Sequence, residues 1–94
     1  MRYIDVTWHH SHSDEPIRLV SEIGADGFEV RKLEFFRDGR VGFASMDSNG
    51  GGTRLGEVAV PDLSEIVADR EFSGVEIDAS EFFDLWKSHA TKSI

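Results

Sequence analysis

The sequence predicts an α+β domain: a four- to five-stranded antiparallel β-meander sheet with a short helix and a C-terminal helix packed on one face. Three observations support this fold class. Polar and apolar residues alternate in most runs up to Val60, glycine-containing turns separate these runs, and the apolar period becomes helical after Pro61. With 94 residues, the chain is predicted to form a single domain, 1–94, because a chain this small supports one core.

Strict alternation predicts the first two strands. Every second side chain in residues 2–8 is apolar, as in a strand with one buried face. A second strand is predicted over residues 17–23. The turn residues at 24–27 include two glycines and an aspartate, so the next run is expected to fold back antiparallel.

The third predicted strand, residues 28–36, changes the parity of its apolar positions. Phe28 and Val30 share one face, whereas Leu33 and Phe35 lie on the other. A β-bulge near residues 31–32 would return all four side chains to the core side.

A hairpin is predicted at Asp38-Gly39, which separates two strand-like runs. The following strand is predicted over residues 41–46. Gly42 and Ala44 leave one of its faces without large side chains, which predicts the close approach of a helix or another backbone segment.

The remaining chain mixes loop, strand and helix signals. Residues 47–52 are predicted to be a flexible loop, and residues 53–60 a further strand. Pro61 fits the first turn of a short helix. Residues 72–77 are predicted to be a linker or a short extended segment.

A capping-box pattern predicts the start of the last helix, with an acceptor at Asp78 and Glu81 three residues on. The helix is predicted to run from Ser80 to His89. Trp8 and Trp86 are both expected to be core anchors that join the first strand to this helix.

The charge is distributed unevenly along an acidic chain whose formal net charge is −8. Residues 1–54 contain seven basic and nine acidic side chains, net −2, whereas residues 55–94 contain three basic and nine acidic ones, net −6. This balance argues against a dedicated nucleic-acid or anionic-membrane binder, since both recognise their targets through Lys and Arg. The acidic C-terminal part instead favours a basic partner.

Cysteine is absent. Disulfides, thiolate metal ligands and a cysteine nucleophile are therefore excluded, which fits a cytoplasmic protein. No apolar run approaches the roughly 18 residues that cross a bilayer, and residues 1–5 lack a signal-peptide core. A membrane partner is not expected.

Six segments along nearly the whole chain form a recognisable set: residues 3–10, 14–19, 29–34, 37–40, 51–57 and 83–86. Together they resemble a family of small bacterial domains of unknown function. The resemblance implies no activity, cofactor or catalytic residue. It suggests a toxin–immunity or mobile-element setting.

A histidine-rich segment is the sharpest local feature. His9, His10 and His12 lie close to Asp14, and imidazole and carboxylate groups are ligands for Zn²⁺ or Ni²⁺. A solvated polar loop whose imidazoles bind backbone groups explains the same pattern. The metal site is the less favoured interpretation, and no cofactor is predicted.

The same histidines give an alternative function, a small metal- or His-dependent phosphate-handling enzyme. Acid–base catalysis needs a group that titrates near neutral pH, and Arg31, Arg40 or Arg54 could hold a phosphate. Charged residues on an exposed strand face also form cross-strand ion pairs, which is a structural explanation for the arginines.

The favoured interpretation is a non-catalytic protein-binding module whose acidic C-terminal part contacts a basic protein, in the manner of an immunity protein. Glu65, Asp69 and Glu71 are the predicted acidic contacts. The full set of candidate binding residues is Trp8, His10, Arg31, Arg40, Arg54, Glu65, Asp69 and Glu71.

Overall fold

In the part of the chain that the structure describes, six strands form one antiparallel sheet. The computed structural model describes residues 1–90, so the last four residues of the predicted domain 1–94 lie outside the described part. The strands are β1 (Arg2–Trp8), β2 (Pro16–Ile23), β3 (Glu29–Phe36), β4 (Val41–Ser45), β5 (Asn49–Gly50) and β6 (Phe72–Glu76), and the helices are α1 (Leu63–Ile66) and α2 (Ala79–His89). The strand order is β5-β4-β3-β2-β1-β6. The predicted antiparallel α+β class is confirmed.

The strand count of four to five was wrong, because both sheet edges differ from the prediction. Residues 47–52, predicted to be a loop, contain the two-residue strand β5. Residues 53–60, predicted to be a strand, form no strand. At the other edge β6 pairs antiparallel with β1, so the chain returns to its first strand after completing the meander.

Side-chain contacts hold residues 53–60 against the sheet. The Thr53 hydroxyl donates to Glu34 at 2.8 Å, and the Gly56 N–H donates to Glu29 at 2.6 Å. The Val60 N–H also donates to the Gly27 carbonyl at 2.8 Å, so these isolated bonds hold the segment without a strand ladder. The predicted close approach to Gly42 is confirmed, since a Cβ on Gly42 would overlap the Thr53 hydroxyl.

The two helices cover opposite faces of the sheet, so the predicted packing on one face was wrong. Consecutive residues of a strand point to opposite sides, and Tyr3 and Ile4 accordingly belong to different clusters. The α2 face is the side carrying Tyr3, Val20, Leu33 and Phe43 beneath α2. The α1 face is the side carrying Ile4, Val6, Ile23 and Phe72 beneath α1.

The capping box of α2 forms as predicted. Asp78 accepts from the Glu81 N–H at 2.8 Å, and the Glu81 carboxylate accepts from the Asp78 N–H at 3.1 Å. Trp86 packs in the core beneath α2, whereas Trp8 stacks on Phe72 with ring centroids 5.8 Å apart. The expectation that both tryptophans join β1 to α2 was therefore wrong for Trp8, whose alternation places it on the α1 face. No helix in residues 1–90 is long and apolar enough to span a membrane.

Turn chemistry fixes the register of β3. Gly39 has a φ of +93° in the β3–β4 turn, a conformation that L side chains rarely adopt, so the predicted hairpin is confirmed. The β2–β3 register shifts where Glu22 pairs with Arg31 and Ile23 pairs with Glu29. This irregularity leaves Val30 as the extra residue, one position before the predicted bulge.

Candidate protein-binding surface

A pocket of about 410 Å³ opens on the α1 face. Seven apolar residues line it: Ile4, Val6, Leu19, Val60, Pro61, Ile66 and Phe72. Three carboxylates also line it: Glu29, Glu65 and Asp69. We call this the acidic pocket. It lies between β1, β2 and the chain around α1.

The three carboxylates of the acidic pocket differ in how their charge is balanced. Glu29 accepts from the Gly56 N–H and lies 3.1 Å from the ammonium of Lys32, so its charge is already paired. Glu65 and Asp69 are exposed, and within residues 1–90 neither forms an ion pair. Two uncompensated negative charges therefore stand beside an apolar lining.

Glu71, the third predicted acidic contact, is bound to Trp8 instead of lining the pocket. The Trp8 indole N–H donates to the Glu71 carboxylate at 3.1 Å, and the Glu71 carbonyl accepts from the His9 N–H at 2.6 Å. Its backbone N–H in turn donates to the Asp69 carboxylate at 2.9 Å. Glu71 thus fixes the start of β6 against the end of β1.

The histidine segment closes the β1–β2 loop. The backbone N–H of His12 donates to Nδ1 of His10 at 2.9 Å, so this nitrogen is unprotonated and Nε2 carries the proton. Nε2 of His10 donates to the Pro16 carbonyl at 2.8 Å. His9 reaches Ser73 of β6, with 2.9 Å between Nε2 and Oγ. Both ring nitrogens of His10 are thus hydrogen-bonded within the β1–β2 loop.

The predicted metal ligands do not converge. His10 lies over the neighbouring rings of Trp8 and His12, with centroids 4.2 Å and 5.2 Å away, while Asp14 is exposed in the loop. In the described part of the chain no three His, Asp or Glu side chains are placed to hold one ion. The metal site remains a hypothesis from sequence.

The three candidate arginines lie on different elements. Arg31 of β3 forms an ion pair with the buried Glu22 beneath α2. Its guanidinium lies 4.7 to 5.2 Å from the ring centroids of Phe82, Phe83 and Trp86. Arg40 lies in the β3–β4 turn, 3.5 Å from Asp38 and 4.2 Å from the ring centroid of Phe36. Arg54 is exposed in the loop after β5.

Within the described residues, Tyr3, Arg18 and Asp38 have pKa values shifted from the ordinary ones. Partial burial and the hydrogen bond to Glu22, 3.2 Å long, raise the pKa of Tyr3 above its usual 10.0. Two hydrogen bonds to Asp5, at 2.9 and 2.7 Å, raise the pKa of Arg18. The backbone N–H of Arg40 lowers the pKa of Asp38. None of these groups lies in the acidic pocket.

The charge distribution along the sequence predicted Glu65 and Asp69 as contact residues, but it did not predict the apolar residues that surround them. Leu19 of β2 and Pro61 line the same pocket from segments far apart in the chain. Only the packing of residues 58–66 across the sheet brings them together. Lys32 was also missed as the cation that pairs with Glu29, because it sits among alternating charges that resemble a solvated strand face.

Fold and site together define a small α+β sheet domain with an acidic, partly apolar surface. The family model for the Domain of unknown function (DUF6881) matches residues 2–91. The chain belongs to this family, as the resemblance indicated. No curated protein and no solved structure matches it.

Proposed function

We propose that this chain is a non-catalytic protein-binding module that takes a basic side chain of a partner protein into the acidic pocket. One observation carries the proposal: Glu65 and Asp69, without a cation partner in residues 1–90, stand beside seven apolar pocket residues. The volume of about 410 Å³ lies in the range of about 300–1,000 Å³ typical of ligand pockets.

Lysine and arginine side chains match both parts of this surface. Each carries an apolar stem and a charged head, so the stem can bury against Ile4 and Ile66 while the head meets Glu65 and Asp69. A purely apolar side chain would leave the two carboxylates without a counter-charge, and an acidic side chain would be repelled by them. Glu29 adds little attraction because Lys32 already pairs with it.

Net charge supports the same partner over longer distances. Residues 55–94 contribute −6 of the total −8, and such a field speeds association with a basic surface. An immunity-like role, in which the chain neutralises a basic protein, belongs to this proposal. So does the bacterial and cytoplasmic setting expected from the sequence.

A random peptide library displayed against the immobilised protein tests the proposal. Enriched peptides are expected to carry Lys or Arg next to Leu, Ile or Val. In the double variant Glu65→Gln/Asp69→Asn, the best peptide is expected to bind about tenfold more weakly. Neutral or acidic enriched peptides, or no enrichment, would overturn the proposal.

A matched control separates the pocket from net charge. Asp47→Asn/Asp84→Asn removes the same charge from exposed positions that do not line the pocket. Peptide affinity is expected to change far less in this variant. Equal weakening in both double variants would mean that overall charge, and not the pocket, attracts the peptide.

Association kinetics give a second measurement. Reversing the charges at Glu65, Asp69 and Glu71 is expected to slow association with the selected peptide and flatten its dependence on salt. Unchanged association rates would exclude this surface as the contact.

A further inference from the structure

β6 leaves one strand edge open. Among the strands of the described residues it stands last in the order and pairs with β1 alone. Within residues 1–90 no strand lies along its outer side. The opposite sheet edge is protected differently, because β5 has only two residues and offers little backbone for another strand to pair with.

Two backbone bonds determine which residues of β6 face outward. The His9 N–H donates to the Glu71 carbonyl at 2.6 Å, and the Ile77 N–H donates to the Tyr3 carbonyl at 2.9 Å. In an antiparallel pair, residues alternate between bonding to the neighbour and facing away. Odd-numbered residues of this segment therefore face β1, and the N–H and C=O of Gly74 and Glu76 face outward.

The outer edge of β6 carries few of the usual features that prevent strand addition, since Glu76 is the one charged side chain in this strand. Its sequence contains no proline, lysine or arginine, the residues that commonly blunt an edge. Val75 is 60% exposed, an apolar side chain that an added strand would cover. An added strand can therefore reach the outward N–H and C=O groups of β6 and cover the exposed Val75 side chain.

Charge decides between the possible occupants of this edge. Residues 69–78 contain four carboxylates, at Asp69, Glu71, Glu76 and Asp78, against the guanidinium of Arg70. Antiparallel pairing with a second copy centred on Gly74 would set Arg70 of one copy opposite Asp78 of the other, but residues 69–78 carry a net charge of −3 (four carboxylates against one guanidinium), so two such edges repel each other. A basic strand meets opposite charges at both ends.

We propose that the outer edge of β6 pairs with an extended basic segment of the partner protein, which adds a seventh strand to the sheet. This inference rests on the proposed function and names the conformation in which the partner binds. An added strand would lie about 4.8 Å from β6, beside the pocket residue Phe72. One segment can thus pair with the edge and offer a basic side chain to the acidic pocket.

Amide hydrogen exchange with a defined probe tests the pairing. The probe is a peptide of alternating lysine and valine, and its control replaces two central valines by proline. At saturation the probe is expected to slow exchange of the Gly74 and Glu76 amides at least about tenfold. Ser73 and Val75 are protected by β1 before it is added. Unchanged exchange at Gly74 and Glu76, or equal protection by the control peptide, would overturn edge pairing.

A proline substitution gives an independent measurement. Glu76→Pro removes an outward N–H that β1 does not use, and Glu76→Thr removes the same charge but keeps the N–H. Probe affinity is expected to fall about tenfold in the proline variant relative to the threonine variant. Equal affinities in two folded variants would overturn the pairing, and the exchange pattern of the unmodified chain decides if Glu76→Pro fails to fold.

The experiments distinguish failure of the acidic-pocket proposal from failure of the edge-pairing proposal. If the probe depends on Glu65 and Asp69 but does not protect Gly74 and Glu76, the pocket stands and edge pairing is overturned. If protection appears without dependence on those carboxylates, edge pairing stands and the pocket is overturned. A dimer of the chain alone, with Gly74 and Glu76 already protected, would make a second copy the occupant and overturn the basic partner.

Discussion

The two faces of the sheet are closed to different degrees. On the α2 face the helix contributes Phe82, which is fully buried with Val20 and Leu33. On the α1 face Ile4 and Ile23 are also buried, yet no residue of α1 is. The helix α2 therefore closes the core on its face of the sheet, whereas the short helix α1 leaves the acidic pocket open on the other face.

Helix length and capping explain the difference. α2 has eleven residues and a complete capping box. α1 has four, and the side chain of its N-cap residue, Asp62, makes no capping bond. A single turn cannot present an apolar stripe wide enough to fill a sheet face, so the acidic pocket remains between α1 and the strands.

The largest expected effect on stability comes from removing one large apolar side chain from each face of the sheet. Phe82→Ala is expected to lower the free energy of unfolding by about 3–5 kcal/mol, because it empties the core beneath α2. Ile66→Ala, at the half-buried wall of the pocket, is expected to cost about 1 kcal/mol. Urea unfolding measures both. Similar losses would contradict the idea that α2 carries most of the packing.

Buried charge gives the next largest effect. Glu22 is 5% exposed and binds both Arg31 and the Tyr3 hydroxyl. Glu22→Gln leaves the guanidinium without its counter-charge under α2 and is expected to cost about 2–3 kcal/mol. Glu65→Gln, at an exposed carboxylate of the pocket, is expected to stay within about 0.5 kcal/mol of the unmodified chain. The comparison fails if the second variant is as destabilised as the first.

The helix caps offer a smaller contrast. Asp78→Ala removes the acceptor of the Glu81 N–H and is expected to destabilise the chain by about 1 kcal/mol. Asp62→Ala is the matched control at α1, and it removes no capping bond. Thermal unfolding followed by circular dichroism compares them. An equal fall in melting temperature would show that the capping box of α2 adds no special stability.

The smallest effect is a pH dependence confined to the α2 face. Tyr3 is the only tyrosine in the sequence, so tyrosinate absorbance reports its ionisation directly. Its folded pKa is raised by burial and by Glu22. The neutral form therefore stabilises the fold below the unfolded pKa of about 10, and this contribution is lost as the pH rises through the folded value.

Glu22→Gln is expected to bring the Tyr3 midpoint part of the way back toward 10.0, since burial remains while the charge is removed. Tyr3→Phe is expected to abolish this component of alkaline destabilisation. A Tyr3 midpoint at or below 10.0 in the unmodified chain would contradict the described hydrogen bond.

Local patterns predicted the parts of the fold that depend on neighbours in sequence. The alternation of β1, the Asp38-Gly39 turn and the Asp78 capping box each involve a few consecutive residues, and each appears in the structure. Residues 72–76 carry a weaker signal, because they become a strand through pairing with β1. That pairing is invisible in a short window of sequence.

Local sequence patterns also could not predict on which side of the sheet each helix packs. The apolar stripe of α2 fits either face, and burial of Tyr3 and Phe43 beneath it appears only in three dimensions. The acidic pocket contains residues of both kinds, some identified from the sequence and some brought together only by the fold. Charge identified Glu65 and Asp69, while the apolar residues around them depended on the path of residues 58–66.

The placement of β6 affects how the chain reaches its fold. β1 is synthesised well before β6, so its outer edge receives its partner only when residues 72–76 exist, and the Trp8–Glu71 bond spans 63 positions. Such distant pairing closes late and slows folding, because a long loop must be ordered first. Until then β1 is an open edge, so the incomplete chain is the form most exposed to wrong strand pairing and aggregation.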